Sequence, residues 1–371
     1  MPPLDGVRVL DLTTLTPGPF ATMMLAELGA SVIKVERPGA GDPLRAMLPA
    51  SFALLNRGKT AVSLDLKSAG DRDLLLTLAA EADVLVEGFR PGVMDRLGLG
   101  FEAVRARNRR ISYVSVSGYG QRGPLAQDAG HDLNYVAQAG GIALSGIQDG
   151  LPGYDGTFQI ADLAGAAYTV IAVLAALREP DAAARHIDLS LFAAALGFGQ
   201  LAAAEAHDSG HEGRPVNRPR EQRGGNGTFT AADGLPLTVC AVEDHFFARL
   251  CTMLGAEELP RDPRFATYHA RLAHGAVLNE RLAAEFAARG REEWLALLKQ
   301  AGIPCAPVVS FADASAGDQA QALGLVTRDP FAVALPLPGL ARRELPEAPG
   351  LGAHDAAVRR LGWGAAEGRE R

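Results

Sequence analysis

"VRVLDLTTLTPGPFATMMLAELGASVIKVE", residues 7–36, decides the fold class. Its two ends, "VRVLDL" and "SVIKVE", are valine-, isoleucine- and leucine-rich runs of strand length. Between them stand a Pro/Gly turn, "TPGPF", and an apolar-periodic segment, "ATMMLAELG", that reads as helix. Pro19 falls in the first helical turn, where a missing N–H costs nothing, and Gly29 falls where a helix ends with positive φ. The stretch is a β-α-β unit.

Working outward, the alternation continues. "AVSLDL" (61–66), "DVLVEGF" (83–89) and "ISYVSVSGYG" (111–120) are strand-like, and "GDRDLLLTLAAEA" (70–82) is helical. Strands alternating with helices imply an α/β fold with a parallel sheet covered on both faces, and with ligands in the loops beyond the carboxyl ends of the strands. A dinucleotide fingerprint is missing: "GLGFEA" (98–103) lacks the last glycine and follows a helix. Nicotinamide and flavin chemistry are therefore disfavoured.

Residues 205–227, "EAHDSGHEGRPVNRPREQRGGNG", have no apolar periodicity and read as a linker. The next stretch has the marks of a small α+β domain over 228–329. "GTFTAADGLPLTVCAV" is a hairpin turning at Asp233-Gly234, "EDHFFARLCTML" and "LNERLAAEFAARGREEWLALLKQ" are amphipathic helices, and "IPCAPVVS" is a returning strand. The expected organisation is a large domain over 1–204, completed by a proline-punctuated tail over 330–371.

Composition narrows the function classes. Of 371 residues, 48% are apolar and 21% charged, which is the profile of a folded chain and not of a disordered one. The net charge is -7 with no Lys/Arg block, which argues against nucleic acid as a partner. Cys240, Cys251 and Cys305 show no CxxC or Cys/His spacing, so neither a zinc site nor a disulfide framework is expected. The N-terminus lacks the pattern of a signal peptide, and "LAGAAYTVIAVLAAL" (163–177) is too short to span a bilayer. A cytoplasmic, metal-free protein with a buried helix at 163–177 and no membrane partner is the expectation.

Three places carry candidate chemistry. Asp162 is the one charged residue between Ile160 and Leu177, near the start of an apolar helix. A carboxylate there is favourable with the helix dipole and is equally open to use as an acid or nucleophile. Glu243, Asp244 and His245 begin a helix, so one of them should cap it. "AGHDLNY" (129–135) sets His131 beside Asp132 in a polar loop. A Ser-His-Asp triad is disfavoured, because no GxSxG elbow occurs and Ser117 lies in strand-like sequence.

Several long blocks, in order, resemble the family III CoA-transferases. They are "LDGVRVLDLTTLTPGPFATMMLAELGASVIKVERPGAGD", "LNRGKTAVSLDLK", "ADVLVEGFRPGVMDRLGLG", "SVSGYGQRGPLAQDAGHDLNYVAQAGG", "DLAGA", "DGLPLTVCAVEDHFF" and "GIPCAPV". The resemblance implies a large Rossmann-like domain completed by the C-terminal tail, a small domain, and an interlocked homodimer acting on an acyl-CoA thioester, with no cofactor beyond the CoA of the substrate. The "GHDxNY" pattern is similar to the racemase branch of the family. By that resemblance His131 and Asp162 would be the two bases that epimerise the carbon alpha to a thioester, with Glu243 near them and a 2-methylacyl-CoA as substrate. Two groups of suitable pKa on opposite faces are what such a 1,1-proton transfer needs. The alternative is CoA transfer to a carboxylic acid, in which Asp162 attacks the thioester and forms an anhydride. For CoA the resemblance points to Arg37, to Leu64, Asp65, Leu66 and Lys67, and to Ala129, Gly130, Asp132, Leu133 and Asn134. Arg57, Lys59 and Arg90 are further candidates for its phosphates.

Overall fold

Arg8–Leu12 and Ser31–Glu36 pair in parallel, joined by the helix Pro17–Glu27. This unit is the centre of a six-stranded sheet in the order Thr60–Ser63, Ser31–Glu36, Arg8–Leu12, Val84–Glu87, Ser112–Ser117, Arg185–Ser190. Every neighbour is parallel. The computed structural model describes residues 1–145, 147–148, 151–152, 157–179, 183–208, 224–327, 332–337 and 339–368.

Parallel strands inside a sheet are covered on both faces, and Leu10, Ile33, Val84, Leu85, Val86 and Val114 are accordingly fully buried. One face packs Leu10, Ile33, Val62, Leu85, Ile111 and Tyr113 against the helices Ala69–Ala80 and Phe101–Arg107. The helices Pro17–Glu27 and Ile160–Leu177 pack together, and both meet the sheet. Because Ile160–Leu177 links two adjacent parallel strands, it must carry the chain back from their carboxyl ends, so its N-terminus lies at that edge. It starts at Ile160 and is half-buried rather than buried: Tyr168 and Ile171 face outward. Length and hydropathy alone would let this helix cross a membrane.

The chain divides into two units. The first comprises Met1–Gly141, Asp155–Ala202 and Asp318–Arg371, so the C-terminal tail belongs with the parallel sheet. Val358 and Trp363 enter its core, and the Trp363 indole N–H donates to the Leu78 carbonyl at 2.9 Å. His354 and Asp355 line the outer side of the edge strand, accepting the N–H groups of Ala61 (3.1 Å) and Ser63 (2.7 Å).

The second unit comprises Ile142–Tyr154 and Ala203–Gly317. Its antiparallel sheet has the order Cys305–Pro307, Pro236–Cys240, Asn226–Thr230, with Gly234 at positive φ in the hairpin turn. Phe229, Val239, Phe247, Phe286 and Trp294 form its core with the helices Asp244–Leu254, Gly275–Phe286 and Arg291–Gln300. Of the expected linker, residues 205–208 finish the helix Leu191–Asp208 and 226–227 open a strand, while 209–223 lie outside the described residues.

Candidate active site

The sheet order reverses between Arg8–Leu12 and Val84–Glu87, and the loops beyond that point are where a fold of this kind opens a crevice. The first loop is fixed from below by fully buried charges. The Lys59 ammonium meets Asp11 Oδ2 at 2.9 Å, and the Lys34 ammonium meets Asp42 Oδ2 at 3.1 Å and the Thr13 carbonyl at 3.0 Å. Asp11 also accepts the Thr13 N–H at 2.9 Å and the Thr22 hydroxyl at 2.7 Å. Burial opposes a charge on Asp11, but Lys59 and Lys34 overcome it and hold the carboxyl well below its usual range. The turn that follows carries Leu15 at φ 63°, a conformation that non-glycine residues seldom adopt.

Asp162 stands in the first turn of Ile160–Leu177. That helix start gets no side-chain cap from Gln159, its own flanking residue. The cap comes from Asp132, whose Oδ1 accepts the N–H groups of Ala161 (2.8 Å) and Asp162 (3.1 Å). Two acidic side chains therefore share one end of the helix. Burial pushes the Asp162 carboxyl up to about 7, and the neighbouring Asp132 adds to the rise. At neutral pH such a group is divided between acid and carboxylate.

The "GHDLNY" loop is shaped by Tyr135, whose hydroxyl donates to the Gly130 carbonyl and whose ring packs edge-on to Tyr119. A Cβ on Gly118 or Gly130 would come within 2.6 Å of that ring, so both positions need glycine. Burial, with Asp162 next, pushes the Tyr135 phenol up to about 12. His131 precedes the helix Asp132–Gln138 and is exposed; its N–H donates to Asn134 Oδ1 at 3.0 Å. His131, Asp132 and Asn134 thus belong to one turn, and Asp132 ties it to Asp162.

Other candidate residues divide by burial. Arg37, Lys67 and Arg90 are exposed and, among the described residues, make no ion pair, so their charges are available to a phosphate. Lys67 rides on a tight turn in which Asp65 Oδ1 accepts its N–H at 3.0 Å. Leu66 is half-buried, and the Leu64 side chain belongs to the core. Ala129, Leu133 and Asn134 line the exposed side of the histidine loop, with Gly130 half-buried. Lys59 is corrected as a phosphate ligand. It has no exposed side-chain surface and three acceptors, Asp11, the Pro19 carbonyl and Asn56 Oδ1. Arg57 is corrected likewise, since it is spent on Glu27 (3.4 Å) and the Leu54 and Val333 carbonyls. Asp132 is corrected from CoA contact to helix cap, being 7% exposed and committed to backbone N–H groups.

Glu243 lies in the second unit, at the N-cap of Asp244–Leu254. Its carboxylate makes no capping bond, contrary to the expectation for this trio, and the adjacent Asp244 pairs with Arg271 (2.8 Å). The buried Arg271 also donates to the Val242 carbonyl at 2.7 Å, so it holds the residues on either side of Glu243. Sequence reasoning missed this clamp and the role of Tyr135, for which "GHDLNY" offered only a bulky residue at fixed spacing from Gly130.

Comparison with known proteins agrees with this architecture. The model of CoA-transferase family III matches residues 4–355. An acetyl-CoA:oxalate CoA-transferase of Acetobacter aceti is 37% identical over 321 residues, covering 84% of this chain and 82% of that protein. A succinyl-CoA:glutarate CoA-transferase of Mus musculus is 35% identical over 335 residues, 88% of this chain and 76% of that protein. The crystal structure of a CAIB/BAIF family protein from Brucella suis superposes with a TM-score of 0.84 at 33% identity, covering 96% of this chain and 98% of that one.

Proposed function

The chain belongs to CoA-transferase family III, and on that premise we propose that it moves CoA from an acyl-CoA to a carboxylic acid through Asp162. The observation that carries the reading is the Asp162 carboxyl itself, at the start of an apolar helix and pushed up to about 7 by burial. A carboxylate partly withdrawn from water and raised in basicity is a stronger nucleophile than one in solvent. Its oxygen would bond to the thioester carbonyl carbon as the C–S bond breaks, giving an acyl-aspartyl anhydride and free CoA thiolate. No carbon changes oxidation state in that exchange, so it calls for no redox group.

Arg37, Lys67 and Arg90 would meet the CoA phosphates. The names of the relatives favour transfer over epimerisation. Alpha-carbon epimerisation of a 2-methylacyl-CoA is the second reading, and His131, in one turn with the residue that caps Asp162, is the observation in its favour. We infer a homodimer as well. Tyr168, Ile171, Leu196, Phe198 and Leu201 are exposed on the Asp162 helix and the next, and the Tyr168 and Phe198 rings meet edge-on across the pair at 5.7 Å, an apolar face of the kind a second subunit covers. Sedimentation at micromolar concentration checks it, and a monomer there rejects it.

The deciding experiment incubates the enzyme with an acyl-CoA in heavy water, then treats it with hydroxylamine. Transfer predicts an aspartyl hydroxamate at position 162, seen by mass spectrometry, and no alpha-deuterium; His131→Ala keeps transfer within a few-fold. Deuterium at the alpha carbon that vanishes in His131→Ala, without hydroxamate, would make the protein an epimerase.

A further inference from the structure

On the sheet face opposite to Ile160–Leu177, a cavity of about 230 Å³ opens among residues that, Arg90 apart, the proposed transfer does not use. Glu87, Tyr113, Ser115, Gln121, His186 and Arg90 contribute to its lining. Three of them are hydrogen-bonded in a chain. The Ser115 hydroxyl bonds to the Glu87 carboxyl, and Ser115 Oγ lies 2.8 Å from His186 Nε2. Registry explains the meeting, because Glu87 pairs with Ser115 across the sheet and His186 pairs with Tyr113 one strand further on.

Glu87 has a second partner. Its Oε2 accepts the Phe89 N–H at 2.7 Å, so this buried carboxyl folds the start of the Gly88–Pro91 loop back onto its own strand. Arg90, exposed and without an ion pair among the described residues, is the next residue in that loop. We propose that Glu87 is a positioning residue for Arg90, and that the Glu87–Ser115–His186 chain makes the hold of that loop on a CoA phosphate depend on pH. The inference rests on the reading of Arg90 as a CoA contact.

The chain can point in two directions. With Glu87 ionised, His186 Nε2–H donates to Ser115, the Ser115 O–H donates to the carboxylate, and the Phe89 N–H meets a full negative charge. A charge-assisted bond of that kind is roughly twice as strong as a neutral one. When Glu87 takes a proton from solvent, its own O–H turns toward Ser115. The hydroxyl then donates to His186, whose proton must sit on Nδ1, and the bond from Phe89 weakens. Burial sets the switching range, pushing Glu87 up to about 7 against the Ser115 and Phe89 bonds, with Asp95 and Asp188 adding to the rise. Burial lowers His186, against Asp188 and Asp95 and with Arg122, which favours the neutral ring that the chain needs. Glu102 of the Phe101–Arg107 helix and the Tyr113 phenol are the remaining titratable groups on the cavity wall.

The test is calorimetric titration with CoA from pH 6 to pH 8, on the wild type, Glu87→Gln and Arg90→Ala. If only the ionised chain holds the loop, the competent fraction falls about tenfold between pH 8 and pH 6 for a midpoint near 7. Gln is neutral throughout, so Kd of Glu87→Gln over wild type should exceed one at pH 8 and fall about tenfold from pH 8 to pH 6. Titration of the CoA phosphates is common to both proteins and cancels in that ratio. A ratio that does not change with pH overturns the inference. Should Glu87→Gln not fold, Ser115→Ala serves: losing the hydroxyl raises Glu87 further, so the wild-type midpoint must move to higher pH, and an unmoved midpoint rejects the chain. Arg90→Ala tests the underlying reading separately, since unchanged CoA affinity there removes Arg90 from the site whatever Glu87 does.

Discussion

Replacing Asp132 separates two things that this carboxylate does. As a cap it satisfies the N–H groups of Ala161 and Asp162, at 2.8 and 3.1 Å; as a charge it raises Asp162. Asp132→Asn keeps an oxygen where Oδ1 stands and loses the charge. It should cost about 0.3–1 kcal/mol, the helix-dipole share. Asp132→Ala loses both and leaves the fully buried Ala161 N–H without an acceptor, which costs about 1–3 kcal/mol. Urea unfolding at pH 7 should therefore rank wild type, Asn, Ala. The activity profile should move oppositely to stability. With Asp162 near 7, about one-tenth of the wild type carries the nucleophilic carboxylate at pH 6. Removing the Asp132 charge lowers Asp162, though burial, the larger cause, remains. The acid limb of CoA transfer in Asp132→Asn must then shift to lower pH, with a larger share of maximal activity at pH 6. A limb that stays in place, or an Asn variant as unstable as the Ala variant, refutes this account.

Asp162→Asn should abolish hydroxylamine trapping while stabilising the fold by roughly 0.5–2 kcal/mol at pH 8. Asp162 is raised in the folded state, so the cost of its charge grows as pH climbs from about 4 to 7; the gain must fade toward pH 4, and one constant with pH would count against a buried charge. Lys59→Met should lower stability by about 3–5 kcal/mol in denaturant unfolding, because Asp11 keeps a buried charge with its nearest cation gone. A loss under 1 kcal/mol, with weakened CoA binding instead, would return Lys59 to the substrate.

The sheet was legible because its information is local. Ser31–Glu36 reads as a strand from six apolar-rich residues between turns, and Asp233-Gly234 announces its hairpin. Burial of a charge is not local. Lys59 and Arg57 look like phosphate ligands in "LNRGK", and only the arrival of Asp11 and Glu27, 48 and 30 residues away, turns them inward. The same holds for Asp132, which caps a helix starting 28 positions later, and for His186, 71 residues from Ser115. Ile160–Leu177 misled by composition: a segment apolar on all sides gives no sign of which side the sheet leaves bare. Membership of the family was readable in long ordered blocks, whereas the histidine in "GHDLNY" pointed to epimerisation and the similar proteins point to transfer.

The tail has a consequence for how the protein is made. Thr60–Ser63 is the edge of the parallel sheet, and its outer N–H groups are taken by His354 and Asp355, almost 300 residues further along the chain. Until those residues leave the ribosome, the nascent sheet has a bare edge and an unfilled place where Val358 and Trp363 will pack. The half synthesised first is thus finished last, and through most of translation it offers the kind of open strand that chaperones guard and neighbouring chains on a polysome can pair with.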